Sequence, residues 1–327
     1  MRRIPVILTC VLLFSIALAG HPRAARYSIV ELPMLPGGAF AEAMNVNDRN
    51  QIVGWGGTES GGAHAILWQD GQAIDLGTLA GASSRAWGIN NRGDVVGESE
   101  TATGEDHAFL WRDGEMFDLA AAGPFSRAFA INHHGDVTGE AQLRAVLLRR
   151  GTRIDLPGMT SARDLNLHRV VTGLGPSGDQ FHAVIWTRGA LIDLGTLPGG
   201  DFSAGRSIND RAQVVGESTV ESTTHGFIWE DGVMVPLQDL VPGFATFARD
   251  INNRGQIVGS SVSNPNVVGG DSHAVLWNDR HDTPTDLGTL PGDPLSSAAA
   301  INDRGLIVGF SGAGGFNAHA VAWVPDR

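Results

Sequence analysis

An Asn and a Gly seven residues apart recur seven times along this chain: Asn47/Gly54, Asn90/Gly97, Asn132/Gly139, Asn166/Gly173, Asn209/Gly216, Asn252/Gly259 and Asn302/Gly309. The clearest copies read INNRGDVVG (89–97), INNRGQIVG (251–259) and INDRGLIVG (301–309). Most copies lie 42 or 43 residues apart, with one short step of 34 and one long step of 50. A period of this length marks a solenoid, a propeller or an array, where stacked copies of one supersecondary unit bury each other's apolar faces. The repeat therefore constrains the fold before any single residue does.

One copy, residues 84–119, reads SRAWGINNRGDVVGESETATGEDHAFLWRDGEMFDL. It holds four short segments rich in β-branched and aromatic residues, RAWGIN, DVVGES, HAFLW and EMFDL, separated by turn chemistry. Asn can close an Asx turn and Gly can take a positive φ in the N-R-G turn. No segment keeps a 3.6-residue period, so no long helix is expected. Four strands in about 43 residues is the size of a propeller blade.

The third strand of each copy carries His and Trp four apart: His64/Trp68, His107/Trp111, His182/Trp186, His225/Trp229, His273/Trp277 and His319/Trp323. Residues i and i+4 of a strand share a face. The third copy departs, with Arg144 and Leu148 in these places. The fourth strand ends in Asp-Leu at Asp75, Asp118, Asp155, Asp193 and Asp286. Residues 31–38, ELPMLPGG, match 193–200, DLGTLPGG, and the last copy stops just after its third strand, at Trp323. The expected fold is all-β: a seven-bladed β-propeller of four antiparallel strands per blade. Its last blade takes its fourth strand, near residues 27–32, from the N-terminus. Such closure removes two exposed sheet edges.

His-Ala-Phe followed by Leu-Trp (107–111), with INNRGDVVGES before it and DLGTLPG-type segments around it, resembles the HAF-repeat family of extracellular proteins. The resemblance covers about residues 27–324 and rests on motifs that recur together and in order. It implies export and the repeat architecture, and no activity or catalytic residue. The third copy and Arg169, which stands where most copies have a turn Gly, depart from the pattern.

Residues 1–19, MRRIPVILTCVLLFSIALA, read as a secretory signal, with Arg2 and Arg3 ahead of an apolar run and a small-residue cleavage site at Ala17–Ala19. The rival is a retained anchor, but the run of about 16 residues falls short of the roughly 20 that span a bilayer. Residues 20–327 then form one propeller domain, secreted or periplasmic and monomeric, with no membrane span once the signal is removed. The one cysteine, Cys10, lies in the signal, so the exported part has no disulfide. All 23 basic residues are Arg, and Gly is abundant, a composition that points to a bacterial source. A net charge of −12 disfavours nucleic acid and anionic lipid as partners.

The repeated histidines are not expected to bind metal. Third strands lie about 10 Å outside the innermost ones, and equivalent atoms on adjacent blades are on the order of 15 Å apart, whereas zinc–nitrogen distances are about 2 Å. They read as buried, satisfied by a neighbouring Asp or backbone group, with Trp between blades. His133, His134 and His168 fall in first hairpin turns of adjacent copies and read as exposed turn residues. No metal or cofactor is called for.

The repeats differ most along the innermost strand. Three residues before the Asn stand Met44, Trp87 and Phe129 in the first three copies, and Arg163, Arg206 and Arg249 in the next three. Arg85 and Arg127 lie two residues earlier. These positions would face the central channel. Arg163, Arg206, Arg249, Arg85, Arg127, Trp87 and Phe129 form the candidate ligand site, with Arg gripping a carboxylate or sugar acid and the aromatics giving an apolar wall. The alternative is inter-blade ion pairs with Asp164 and Asp250. No nucleophile elbow, phosphate loop or metal-ligand motif is present. The favoured function is a non-enzymatic module binding an extracellular saccharide or protein. A glycan-active hydrolase or lyase in the central funnel, and a purely structural surface protein, are the alternatives.

Overall fold

The computed structural model describes residues 27–119, 126–267 and 271–326. The signal expected over 1–19 lies outside the described residues. The chain folds into antiparallel meanders of four strands. In the first, Ala41–Val46, Ile52–Gly57, Ala63–Gln69 and Gln72–Asp75 pair in succession. The next runs Ala80–Ile89, Val95–Thr101, Asp106–Arg112 and Glu115–Asp118. Single parallel bridges, Ala63↔Ser83 and Phe181↔Phe202, join two pairs of neighbouring meanders. The only helical segment among the described residues is the 3-10 turn Gly315–Asn317. No helix among them is long and apolar enough to cross a membrane.

The N-terminal strand Tyr27–Glu31 pairs with Ala318–Pro325, from Tyr27↔Pro325 to Glu31↔Val321. The last repeat thus gains its fourth strand from the start of the chain, as the ELPMLPGG match predicts.

The recurring Asn serves its own turn and the next repeat together. The Asn90 side-chain oxygen accepts from the backbone N–H groups of Arg92 and Asp94. Its amide donates to the carbonyl of Asn132. The same donation runs Asn47 to Asn90, Asn132 to Asn166, Asn166 to Asn209, Asn209 to Asn252 and Asn252 to Asn302, at 2.9–3.3 Å. Asn302 then donates to Asn47 at 2.9 Å, 255 residues away, which closes the series. Asp would lack the donor, and Ser would lack the reach to accept twice and donate once.

The recurring Gly has a steric cause. Every innermost strand carries a one-residue β-bulge, seen as a register shift between Ala86 and Gly88 and at the same place in the other repeats. The extra residue is Met44, Trp87, Phe129, Arg163, Arg206, Arg249 or Ala299. The bulge drives a carbonyl onto the facing strand, and there the Gly stands: a Cβ on Gly97 would overlap the Arg85 oxygen, and one on Gly216 the Ala204 oxygen. A bulge bends its strand and re-aims a side chain. Here the bulged residue is the one that varies from repeat to repeat.

Apolar clusters fill the spaces between neighbouring repeats. One contains Ala41, Ile52 and Trp68 of the first repeat with Val308, Ala320 and Ala322 of the last. Trp68, Trp277 and Trp323 donate their indole N–H to the carbonyls of Pro33, Gln238 and Leu287, each in the connection from the preceding repeat. The histidines sit differently from expectation. Four of them bond the Asp that ends the outer strand, His64–Asp75, His107–Asp118, His182–Asp193 and His273–Asp286 at 2.9 Å, whereas His225 and His319 lie 3.5 and 3.6 Å from Asp239 and Asp293 in connecting segments; all six side chains stay between 18% and 39% exposed. Trp277 is fully buried, whereas Trp111 is only partly so. Trp277→Ala is expected to cost about 3–5 kcal/mol and Trp111→Ala distinctly less. Urea unfolding of the two variants checks this, and equal losses would contradict it.

Candidate functional site

The innermost strands and their turns enclose a cavity of about 630 Å³. Trp87, Phe129, Arg163, Arg206 and Arg249 all line it, with Met44 and Ala299 completing the bulge level. Arg85 and Arg127 do not line it; they sit beside it on the same strands.

Two buried glutamates hold four of the five arginines. Glu98 receives Arg127 Nε at 2.5 Å and Arg85 at 3.3 Å. Glu217 receives Arg206 and, at 3.5 Å, Arg249. Each carboxylate clamps the innermost strands of two adjacent repeats, a buried charge balanced by two guanidinium groups. Burial pushes the Glu98 carboxyl up, and Arg127 and Arg85 oppose the shift. The inter-repeat ion pairs expected with Asp164 and Asp250 are thus made with Glu98 and Glu217 instead. Those glutamates follow the recurring Gly directly; Glu98 stands opposite Arg85 in register, whereas Glu217 stands opposite Ala204 and is reached by the bulge residues Arg206 and Arg249.

Arg163 differs. Among the described residues it makes no ion pair, and its guanidinium lies 4.4 Å from the Phe129 ring centroid, a cation–π distance. The residue after its own recurring Gly is Leu174, where Glu98 and Glu217 stand in other repeats. Burial, followed by the charge of Arg206, holds Arg163 below the ordinary guanidinium range. Trp87 meets Phe129 edge to face at 6.4 Å, and its indole N–H has no partner among the described residues.

Carboxyl groups also line the cavity, at positions that no spacing in the sequence singles out. Asp48, Asp210 and Asp303 follow the recurring Asn in three repeats. Asp303 N–H donates to Asp48, Asp48 N–H to Asn91, Leu167 N–H to Asp210, Asp210 N–H to Asn253 and Asn253 N–H to Asp303, at 2.7–2.9 Å. The series is interrupted between Asn91 and Leu167, because His133 and Leu167 carry no side-chain oxygen to accept the next bond. That interruption lies in the repeats that supply Trp87, Phe129 and Arg163. His133 lines this rim, and His134 and His168 lie in the same turns; among the described residues no three His, Cys, Asp or Glu side chains converge to hold a metal.

Deeper in the wall, Ser207 lies between two carboxyls, 2.9 Å from Asp164 Oδ2 and 2.6 Å from Asp250 Oδ1. Asp164 also accepts from the N–H of Leu165 and Ile208, and Asp250 from those of Ile251 and Ile301. Burial, together with the charge of Asp250, pushes the Asp164 carboxyl up to about 7 against these donors. Burial also raises Asp250.

No protein-family model matches the chain. No curated protein matches it in sequence. Solved structures do match in shape. The β-propeller domain of the Trilobed protease from Pyrococcus furiosus, described as having an open velcro topology, superposes with a TM-score of 0.59 at 10% identity, over 88% of this chain and 95% of that one. The fold is a β-propeller. A gluconolactonase from Xanthomonas campestris aligns at 13% identity over 76% of this chain and 92% of that one, with a TM-score of 0.43. A lectin of Aleuria aurantia in complex with Fucα1-6GlcNAc aligns at 10% identity over 93% and 94%, with a TM-score of 0.36. In this propeller, Tyr27–Glu31 lies against Ala318–Pro325 and covers that edge.

Proposed function

We propose that this chain is an exported, seven-bladed propeller of the HAF-repeat type that binds an extracellular ligand in its central cavity, and that the ligand is a saccharide or similar polar molecule with one carboxylate. The observation that carries the reading is Arg163. Arg206 and Arg249 are committed to Glu217, whereas Arg163, beside an aromatic wall, makes no ion pair with a carboxylate among the described residues. A planar fork of N–H groups suits a carboxylate, and Phe129 and Trp87 suit a sugar face. The aspartates on the rim would accept hydroxyl groups and repel polyanions, so a single carboxylate fits better than a highly charged polymer.

A panel of neutral and acidic saccharides tests this on the protein from residue 20 onward. Arg163→Gln is expected to weaken binding of the acidic ligand at least about tenfold, the loss of a charge-assisted hydrogen bond, while leaving thermal stability unchanged. Binding measured by calorimetry that is indifferent to Arg163→Gln would overturn the reading. A glycan-active hydrolase or lyase is the second reading, favoured by the two carboxyls on the cavity wall; release of reducing ends or unsaturated products in the same panel would support it.

A further inference from the structure

The hydrogen count around Ser207 does not close unless one carboxyl keeps its proton. Ser207 has a single hydroxyl hydrogen, yet its oxygen is within hydrogen-bond distance of Asp164 Oδ2 and Asp250 Oδ1. If both carboxyls were ionised, one contact would set an oxygen lone pair against a carboxylate. Both contacts are within O–H···O range, and of the two acids Asp164 is the one that burial and the charge of Asp250 push up to about 7. The consistent arrangement has Asp164 protonated and donating to Ser207, which donates in turn to ionised Asp250.

Asn could not replace either acid without loss. Asp164 Oδ2 faces Ile208 N–H as well as Ser207, and its Oδ1 faces Leu165 N–H. An amide nitrogen at either place would point at a backbone donor. A carboxyl oxygen can carry the proton toward Ser207 and still accept the backbone N–H. The bridge also spans distant parts of the sequence, because Asp164, Ser207 and Asp250 hold the same position in three successive repeats. In the other repeats Asn45, Gly88, Ala130 and Ala300 stand there, none of them ionisable.

We propose that Asp164, Ser207 and Asp250 hold one proton between them as a switch on the cavity wall, and that loss of this proton adds a negative charge beside the ligand and weakens capture of an anion. The charged groups around the triad are Arg163, Arg206 and Arg249, adjacent on the same strands, Glu217 beyond them, and Asp210 and Asp303 toward the rim. Asp303 acts against ionisation of Asp250. The guanidinium groups of Arg206 and Arg249 are engaged with Glu217 and do not pair with either Asp. With the proton retained, the triad carries one negative charge; without it, two.

The sign of the effect follows from the direction of the shift. The native protein binds a proton at Asp164 that the unfolded chain releases near pH 4. Stability therefore falls as pH rises from about 4 through about 7. The coupling to ligand rests on the proposed binding reading; the shared proton itself does not.

Infrared difference spectroscopy of the full exported protein tests the proton directly. At pH 6 a protonated-carboxyl stretch is expected, titrating away near pH 7. Asp164→Asn and Asp250→Asn should each abolish it, since without Asp250 the Ser207 hydroxyl turns to Asp164 and that carboxyl ionises. No such band in the unaltered protein at pH 6, or a band that survives Asp250→Asn in a folded variant, would overturn the proposal. If neither variant folds, the unaltered protein still decides: a band titrating as one proton near pH 7 supports it. Galacturonate then serves as the ligand probe. Its affinity should rise by roughly an order of magnitude from pH 8 to pH 6 and be flat with pH in Asp250→Asn. PH-independent binding by the unaltered protein would refute the switch, and no binding at any pH with the infrared band present would refute the anionic-ligand reading alone.

Discussion

Removal of residues 27–32 leaves a protein that melts far lower and associates. The strand Tyr27–Glu31 covers Ala318–Pro325, and Leu32 N–H continues the ladder to Ala320 at 2.8 Å. Tyr27 and Ile29 pack against the cluster that contains Leu276, Leu287, Val321 and Trp323. Truncation therefore exposes a fully buried Trp and a long unpaired edge whose inward residues are Ala and Val. Such an edge is a template for pairing with another chain. Starting the truncated protein at Pro33 keeps the Trp68 acceptor and Leu35 in place, so that only the strand is lost. A loss of several kcal/mol corresponds to a fall in Tm on the order of 10 °C for a domain of this size. Calorimetry and light scattering check both parts, and an unchanged Tm with a monodisperse sample would mean that the closing strand contributes little. The Asn302-to-Asn47 bond would then be the main closure of the ring.

The repeat, its four strands and the borrowed N-terminal strand were legible because each depends on local chemistry. Turn residues and alternating apolar segments are visible within a few residues of one another, and the borrowed strand shows in the match of ELPMLPGG (31–38) to DLGTLPGG (193–200). The channel was legible in part. Trp87, Phe129, Arg163, Arg206 and Arg249 do share one cavity, because residues at one position of a repeat occupy one level of the ring. Arg85 and Arg127 were grouped with them on the assumption of an even strand. The bulge breaks that alternation, so Arg163 and Asp164, neighbours in sequence, both line the cavity.

The partners were harder to read. Glu98 and Glu217 lie in segments that read simply as the second strand; pairing register places Glu98 beside Arg85, and the bulges bring Arg206 and Arg249 to Glu217. The Asp164–Ser207–Asp250 bridge joins residues 43 apart at each step, and becomes visible in sequence only when the position two before the Asn is compared across repeats. That comparison alone shows two acids flanking a hydroxyl; the hydrogen count requires the distances.

Gly97→Ala is expected to cost about 3 kcal/mol or more, at the upper end for overpacking by one methyl group. Gly97 does not have a positive φ, so an Ala there meets no backbone penalty. The cost is steric: the new Cβ would overlap the Arg85 carbonyl oxygen and come within 2.6 Å of the Phe109 ring. The carbonyl cannot retreat, because the bulge at Trp87 holds it there. Gly114 supplies the contrast. It has a φ of 89° and nothing within 4 Å of an added Cβ, so Gly114→Ala costs only the left-handed conformation, about 1–2 kcal/mol. The same substitution therefore has different causes at two sites in one repeat, and the Gly97 variant alone should disturb the cavity. Flattening the bulge would move Trp87 and shift Arg85 against Glu98, so ligand affinity should fall with stability in Gly97→Ala and stay constant in Gly114→Ala. Urea unfolding and calorimetric binding of both variants measure this. A Gly97→Ala protein as stable as the Gly114→Ala protein would show that the strand accepts an even register there, and that the bulge is not what places Trp87 in the cavity.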